Sequence, residues 1–341
     1  MCGIVGFAAA KQDLEQAKKT VKAMADLIIH RGPDGEGYYV DDAVALGHRR
    51  LSIIDLAGGT QPMFNEDGSL VCVYNGEIYN FRELRAELQN AGHTFATQCD
   101  TEVLLHGYEE WGRGLLGRLR GMFSFAIWDK AAQRLFCARD HFGIKPFYYF
   151  HKDGVFLFGS EIKSFLPHPG FIKELNEERL PEYLSIEYIP NNETMFRDVY
   201  KLPGAHWFRW KEGEIAIQRY FSIEYQIDES KTLEDWEEQI AKTFAESVAA
   251  HQIADVEVGC LLSSGVDSSF VVNEVAKGTP KVKSFSVGYE EEQYSELPYA
   301  QAFSREIGVP SIANKVGAEE FFEANKTIQW YLDEPMPNPS E

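Results

Sequence analysis

Basic residues are in short supply in this chain: 33 Lys and Arg stand against 53 Asp and Glu over 341 residues, a formal net charge of −20. So acidic a composition argues against a general affinity for nucleic acid or anionic membranes, and any anionic substrate must meet a local positive site. Long apolar runs are missing as well. No stretch of eighteen apolar residues occurs, and the N-terminus has neither the basic start nor the apolar middle of a secretion signal, so a soluble, cytoplasmic protein is expected. Cysteines are few. Cys2, Cys72, Cys99, Cys137 and Cys260 are odd in number, widely spaced and without a C-x-x-C pair, so they suggest neither a disulfide framework nor a zinc site. Free thiols suit a reducing compartment. Internal repeats and low-complexity segments are absent too, while 44% hydrophobic and 13% aromatic residues mark a chain that folds, at a length where two domains are expected.

What is present changes character along the chain. Leu14, Ala17, Val21, Met24 and Ile28 recur at helical spacing before the turn HRGPDGEG, and the runs AVALGHRRLSI, SLVCVYNGEIY, GMFSFAIWD, RLFCAR and GVFLFGS then read as strands of a mainly antiparallel sheet. Between them NFRELRAELQNAG reads as a helix with Asn80 as N-cap, Glu83 completing a capping box and Gly92 near its end. Beyond about residue 210 a charged, turn-rich stretch leads to a helix carrying Leu233, Trp236, Ile240, Phe244 and Val248 on one face. Strands VEVGCLLS, VKSFSVGY and PSIANKV then alternate with helices, which predicts a parallel sheet with crossover helices.

The chemistry-bearing residues begin with Cys2 in MCGIVGF. A small second residue allows the initiator Met to be removed, after which Cys2 carries a thiol beside a free α-amine whose ordinary pKa of about 7.7–8.0 suits a general base near neutral pH. The plain alternative is a small apolar residue opening a buried strand. In YNGEIYN, Asn75 and Gly76 could supply a side-chain amide and an unhindered N–H to an oxyanion, or simply form an Asn-Gly hairpin turn. An amino-acid zwitterion wants a guanidinium for its carboxylate and carboxylates for its ammonium. Arg49 or Arg50 with Glu77 and Asp100 are candidates, although the arginines could be solvated strand-end charges and Asp100 could N-cap TEVLLHGYEEW. LLSSGVDSS at 261–269 follows a strand and opens a helix, a place where N–H and O–H donors can cradle phosphate, or else is a Ser-rich turn. It is not a Walker A loop, since no Gly-Lys-[Ser/Thr] follows.

In this order along one chain, MCGIVGF, HRGPDG, HRRLSIID, YNGEIYN, GMFSFAIWD, RDHFGIKPFYY, SSGVDSS and FSVGY resemble the glutamine-dependent asparagine synthetases over essentially the whole length. The resemblance implies an α+β N-terminal-nucleophile amidotransferase sandwich of αββα type at 2–212. An incomplete α/β parallel-sheet PP-loop nucleotide-binding domain would follow at 228–341. It implies Cys2 as nucleophile, Asn75 and Gly76 as oxyanion hole, Arg50 on the glutamine carboxylate, Leu51, Ser52, Ile53 and Ile54 along that pocket, and Glu77 with Asp100 as glutamine-binding acids. Leu262 and Val287 would lie beside the adenine nucleotide, Ser263, Ser264, Gly265, Asp267 and Ser268 would form the pyrophosphate loop, and Asp267 would ligate Mg²⁺. The reaction implied joins ATP and aspartate into β-aspartyl-AMP, which ammonia from glutamine converts to asparagine.

Two departures accompany the resemblance. Ser264 stands where the family's loop has its first glycine, and the family's second phosphate motif, Ser-Gly-Glu-Gly-x-Asp-Glu, is not in the chain, which therefore reads as the N-terminal portion of a longer enzyme. Rival readings are an amidotransferase for another carboxylate and a non-catalytic glutamine-binding or assembly protein. Glutamine, aspartate and ATP are the expected partners, with no nucleic acid and no membrane, and homo-oligomerisation is left open.

Overall fold

The strand and helix rhythms read from the sequence become two compact units in the computed structural model, which describes residues 1–9 and 11–335. One unit runs from Met1 to Ile223 and takes in the segment from Leu332; the other is Glu224–Tyr331. The first holds β1 (Gly3–Ala8), α1 (Leu14–Asp26), β2 (Gly35–Val40), β3 (Val44–Arg50), β4 (Met63–Phe64), β5 (Leu70–Ile78), α2 (Phe81–Asn90), α3 (Glu102–Trp111), β6 (Gly121–Asp129), β7 (Arg134–Arg139), β8 (Tyr148–Lys152), β9 (Val155–Gly159), α4 (Leu180–Ile186), β10 (Val199–Lys201), β11 (His206–Lys211) and β12 (Glu214–Arg219). The second holds α5 (Leu233–Ala250), β13 (Cys260–Leu261), α6 (Val266–Gly278), β14 (Ser284–Tyr289), α7 (Leu297–Glu306), β15 (Ser311–Val316) and α8 (Ala318–Leu332). Among the described residues no helix is long and apolar enough to cross a membrane.

Two six-stranded antiparallel sheets, ordered β10-β8-β9-β1-β3-β2 and β12-β11-β7-β6-β5-β4, make a sandwich. Strand β1 shows why its sequence is apolar at every position. Ile4 and Ala8, with Phe158 of their own sheet, face Val73, Trp128 and Phe208 of the other, while Val5 and Phe7 face Ala17, Val21 and Met24 of α1. Each large side chain so buried stabilises the fold by about 1.5–3 kcal/mol. On the far side, Tyr108 of α3 stacks on Phe136 of β7 with ring centroids 4.9 Å apart, which completes the helix–sheet–sheet–helix order.

In the second unit β13, β14 and β15 are parallel, in the register Leu261↔Phe285 and Ser286↔Ala313. Val272 and Val275 of α6, Ala300 of α7 and Val282 pack as its core. Several local expectations are corrected. Asn80 does not cap α2: its side chain instead receives Arg120 N at 2.9 Å and donates to Arg118 O at 2.9 Å, so the Asn80–Glu83 capping box is not formed. The capping box that does form is Thr232 with Asp235, at the start of α5. Leu14 is exposed at the open end of α1, and on α5 only Val248 is buried, with Leu233 and Ile240 exposed. The strand expected at VEVGCLLS shrinks to Cys260–Leu261.

His48 of β3 ties the sheets together. Fully buried, its Nε2 lies 3.0 Å from Tyr74 O on β5, so the neutral ring must carry its proton on Nε2. Burial holds its pKa down at about 3 against the ordinary 6.5, and the nearby Arg50 adds to this. A base depressed in the native state contributes stability above its unfolded pKa and loses it as pH falls toward the folded one. We therefore expect the protein to lose about 3 kcal/mol through this residue alone between pH 7 and pH 4. In His48→Gln, urea unfolding should be measurably less acid-sensitive over that interval than in the unsubstituted chain. Identical pH dependence in the two would show that His48 is not held neutral.

Candidate active site

The position of Cys2 follows from strand register. Gly3 pairs with Arg49, so Cys2 lies beside the end of β3, where Leu51 N donates to its Sγ at 3.4 Å and the thiol faces Leu51 O at 3.5 Å. From behind, Arg31 Nε donates to Cys2 O at 3.0 Å, and Arg31 is itself fixed by Glu161 at 3.0 Å. Burial pushes the Cys2 thiol above its usual pKa, opposed by the Leu51 amide. A thiol so placed is protonated near neutral pH and needs a base to become a nucleophile.

The same pocket is lined by Met1, Arg50, Leu51, Ile53, Ile54, Asn75, Gly76, Glu77 and Asp100. Of the residues anticipated there, Ser52 alone is not in the lining; its amide donates to Asp34 at 2.8 Å. The two arginines part company. Arg49 is buried against α1, bonding Ala25 O at 3.2 Å and ion-paired with Asp26 and Glu36, whereas Arg50 lines the pocket with its guanidinium held by the carbonyls of Ile54, Asp55 and Leu56. Gly59 makes room for it, since a Cβ there would stand 2.5 Å from Arg50 Nη2.

Asn75 and Gly76 are not a hairpin turn. They lie inside β5, opposite Ser124 and Phe123 of β6. Both N–H and C=O of Phe123 are turned away to Asp140, so Gly76 and Phe123 form a non-hydrogen-bonded pair and the Gly76 N–H faces the other edge. Amides of the same parity on that edge have found side chains: Tyr74 N donates to Gln61 Oε1 at 2.6 Å and Ile78 N to Asp100 Oδ2 at 3.0 Å. Strand β4 pairs no further than Cys72, so among the described residues no strand covers Gly76 there. Glycine is required by close approach, because a Cβ would meet Met122 O at 2.3 Å. Asn75 is buried, and among the described residues neither its Oδ1 nor its Nδ2 has a hydrogen-bond partner. Such a side chain costs about 1–3 kcal/mol, which a ligand oxygen would relieve.

Asp100 is buried and does not cap α3; its carboxylate receives Tyr74 OH at 2.8 Å and Ile78 N at 3.0 Å. Sequence reasoning missed Lys145, a buried lysine on the pocket wall, and Asp140, whose carboxylate gathers the amides of Phe123, Phe142, Ile144 and Lys145. Their signal lay in RDHFGIKPFYY, where an acid before a glycine turn interrupts an aromatic-rich run.

In the second unit the loop between β13 and α6 is closed by its own hydroxyls. Ser268 Oγ lies 2.9 Å from Ser263 Oγ and 3.1 Å from Ser263 N, and Gly265 N donates to Ser263 Oγ at 3.1 Å. Ser264 is not among the positive-φ residues, and its hydroxyl donates to Glu296 at 2.6 Å. Leu262 is buried, Ser286 Oγ binds its carbonyl at 2.8 Å, and Val287 and Asp267 are exposed. The arrangement offers donors at the start of a thirteen-residue helix.

A family model described as a glutamine amidotransferase domain matches residues 1–221, and one described as asparagine synthase matches residues 239–341. Glutamine-hydrolysing asparagine synthetase 1 of Bacillus subtilis is 39% identical, the alignment covering 100% of this chain and 54% of that protein. A putative glutamine-hydrolysing asparagine synthetase of Mycobacterium bovis is 38% identical, covering 100% and 56%. Among solved structures, a glutamine phosphoribosylpyrophosphate amidotransferase from B. subtilis gives a TM-score of 0.49 at 17% identity, over 92% of this chain and 65% of that one. The chain thus spans about half the length of the curated relatives it matches.

Burial raises the Asp100 pKa above its ordinary 3.8, against the bonds from Ile78 and Tyr74. A carboxylate raised in the native state favours folding below its unfolded pKa, and that contribution is lost as pH climbs through the folded one. Wherever Asp100 is ionised, its charge is therefore a burden. Asp100→Asn, which keeps an acceptor for Tyr74 OH and Ile78 N, should leave thermal stability at pH 7 unchanged or raised. A fall of several degrees would mean that the charge stabilises the fold.

Proposed function

The chain belongs to the glutamine amidotransferase family, and from that footing we propose that its first unit hydrolyses glutamine with Cys2 as nucleophile. The observation that carries the reading is the buried, unpartnered Asn75 amide in the pocket that contains the Cys2 thiol. After removal of Met1, the α-amine of Cys2 takes the thiol proton and Sγ attacks the side-chain amide carbon. Asn75 Nδ2 and the Gly76 N–H receive the oxyanion. The protonated amine then passes its proton to the leaving nitrogen, ammonia departs, and water attacks the thioester to give glutamate. With Met1 in place, burial lowers the pKa of the Met1 α-amine against the opposing Cys2 thiol, and Arg31 and Lys145 add to the lowering; the same two cations would stand near the Cys2 amine and favour its neutral form. Arg50 takes the substrate carboxylate, with Glu77 and Asp100 receiving the ammonium.

On the same reading the glutaminase domain occupies 2–212 and part of an asparagine synthetase domain 228–341, in a cytoplasmic enzyme. Ammonia would amidate a β-aspartyl-AMP made from ATP and aspartate. The loop of Ser263, Ser264, Gly265, Asp267 and Ser268 would receive the pyrophosphate of ATP, beside Leu262 and Val287. The exposed Asp267 carboxylate in the first turn of α6 is a hard oxygen donor of the kind that holds Mg²⁺ together with phosphate oxygens, and the ion would neutralise phosphate charge there.

Cys2→Ala should abolish glutaminase activity, while Cys72→Ser, Cys137→Ser and Cys260→Ser, once folded, retain it. Undiminished hydrolysis by Cys2→Ala would overturn the assignment. Asn75→Ala should lower kcat by roughly 10²–10³-fold and Arg50→Ala should chiefly raise KM for glutamine. The opposite pattern would exchange the two roles.

A further inference from the structure

Away from the thiol pocket, four side chains of the first unit converge on one point. Glu66 comes from the turn between β4 and β5, His93 from the chain after α2, and His106 with Glu109 from α3; one ligand atom of each lies within 4.8 Å of all the others. His106 Nδ1 stands 3.3 Å from Glu66 Oε2 and 4.0 Å from Glu109 Oε2, and His93 Nδ1 stands 3.8 Å from Glu66 Oε1 and 3.8 Å from Glu109 Oε2. Four-coordinate zinc with bonds of about 2.0–2.2 Å places its ligand atoms about 3.3–3.6 Å apart, so small side-chain rotations close the set.

The ring orientations are those of metal ligands. Both imidazoles turn Nδ1 toward the shared point, and each has a carboxylate on its other side: Glu102 Oε1 lies 3.5 Å from His106 Nε2 and Glu110 Oε2 lies 3.4 Å from His93 Nε2. An outer carboxylate of this kind draws the ring proton to itself and leaves the inward nitrogen free to donate its lone pair. Glu102 is anchored for the task by Ala96 N at 2.7 Å, Thr97 N at 2.9 Å and Thr97 Oγ1 at 2.6 Å. His106 is 1% exposed, and neither of its nitrogens makes a hydrogen bond of good geometry. A buried imidazole facing three carboxylates without such a bond is an unexplained cost to the apoprotein. Four carboxylates surround the two imidazoles, and Arg85 faces only one of them, Glu102, at 3.8 Å, so an excess of negative charge is left that a dication would neutralise.

We propose that Glu66, His93, His106 and Glu109 bind a divalent transition-metal ion, Zn²⁺, in a closed four-ligand structural site. With two imidazole nitrogens and two carboxylate oxygens the donor set suits zinc better than calcium or magnesium, which take oxygen alone. Its mechanical effect is local: it clips the β4–β5 turn and the segment after α2 to α3, the helix that begins just after Asp100 of the pocket. Cysteine spacing gave no hint of it, because the donors are His and Glu spread over several elements.

The test uses the full chain stripped with EDTA and titrated with ZnCl₂ or CoCl₂. One equivalent of Zn²⁺ should bind, Co²⁺ should give the intense visible bands of a four-coordinate nitrogen–oxygen site without a thiolate charge-transfer band, and Zn²⁺ should raise Tm. Glu109→Gln and His93→Asn, both on residues with solvent access, should fold and lose the binding by 100-fold or more, and Glu110→Gln should weaken it about 10–100-fold. Absence of a bound equivalent, a thiolate band that vanishes in Cys2→Ala, or unchanged affinity in folded Glu109→Gln would each overturn the proposal.

Discussion

The first unit depends on one register, the antiparallel pairing of β1 with β3 from Gly3↔Arg49 to Ala8↔Val44. Side chains alternate along both strands, so a slip of one residue would turn Ile4 and Val5 to the wrong layers and put Arg49 where Arg50 now stands. The register is enforced by volume. A Cβ on Gly6 would lie 2.4 Å from the Phe158 ring, so only glycine at that position lets Phe158 fill the space between the sheets. Cys2 inherits its place from this packing: it is the residue just before the locked strand, and Leu51, just after the partner strand, holds its sulfur.

Behind Cys2 a buried charge cluster reinforces that place. Glu161 meets Arg31 at 3.0 Å, His30 at 2.9 Å and Lys163, and Lys163 also meets Asp333 at 2.9 Å. Desolvation makes such a cluster a poor source of net stability, yet removing one member strands the rest, so it specifies geometry more than it adds free energy. Arg31 passes that geometry on through its bond to the Cys2 carbonyl. The pocket itself runs the other way. Asn75, without a partner among the described residues, and Asp100, whose ionised form burial disfavours, both cost stability, which the aromatic core between the sheets offsets.

What was legible in the sequence was whatever is carried by periodicity. The buried face of α1, the five strand runs and the switch to alternating strands and helices follow from spacings of two, three and four. Choices settled by distant partners were not legible. Asn75-Gly76 has the composition of a turn, and only β6 beside it makes it strand; Asn80 has the composition of a cap, but Arg118 and Arg120 claim its side chain. Arg49 and Arg50 differ by nothing local, and the pleat alone sends one to α1 and the other to the pocket. The His–Glu cluster assembles from Glu66, His93 and the α3 pair His106 and Glu109, segments whose sequences give no sign of one another.

The loop of the second unit shows how a departure from pattern can be reconciled by local geometry. A glycine is indispensable where φ is positive, and Ser264 is not among the residues of that kind. Its hydroxyl is already occupied by Glu296, an acid that an arriving phosphate would have to displace or face across a cation. The remaining donors are neutral: hydroxyls of Ser263 and Ser268, and backbone amides at the start of α6. In a chain of net charge −20, neutral donors beside a carboxylate give a phosphate little attraction at a distance. If this loop receives ATP, its affinity must therefore come at short range, from aligned N–H groups and from a dication shared with Asp267. On the function proposed above, nucleotide binding here would be governed by magnesium more than by ionic steering.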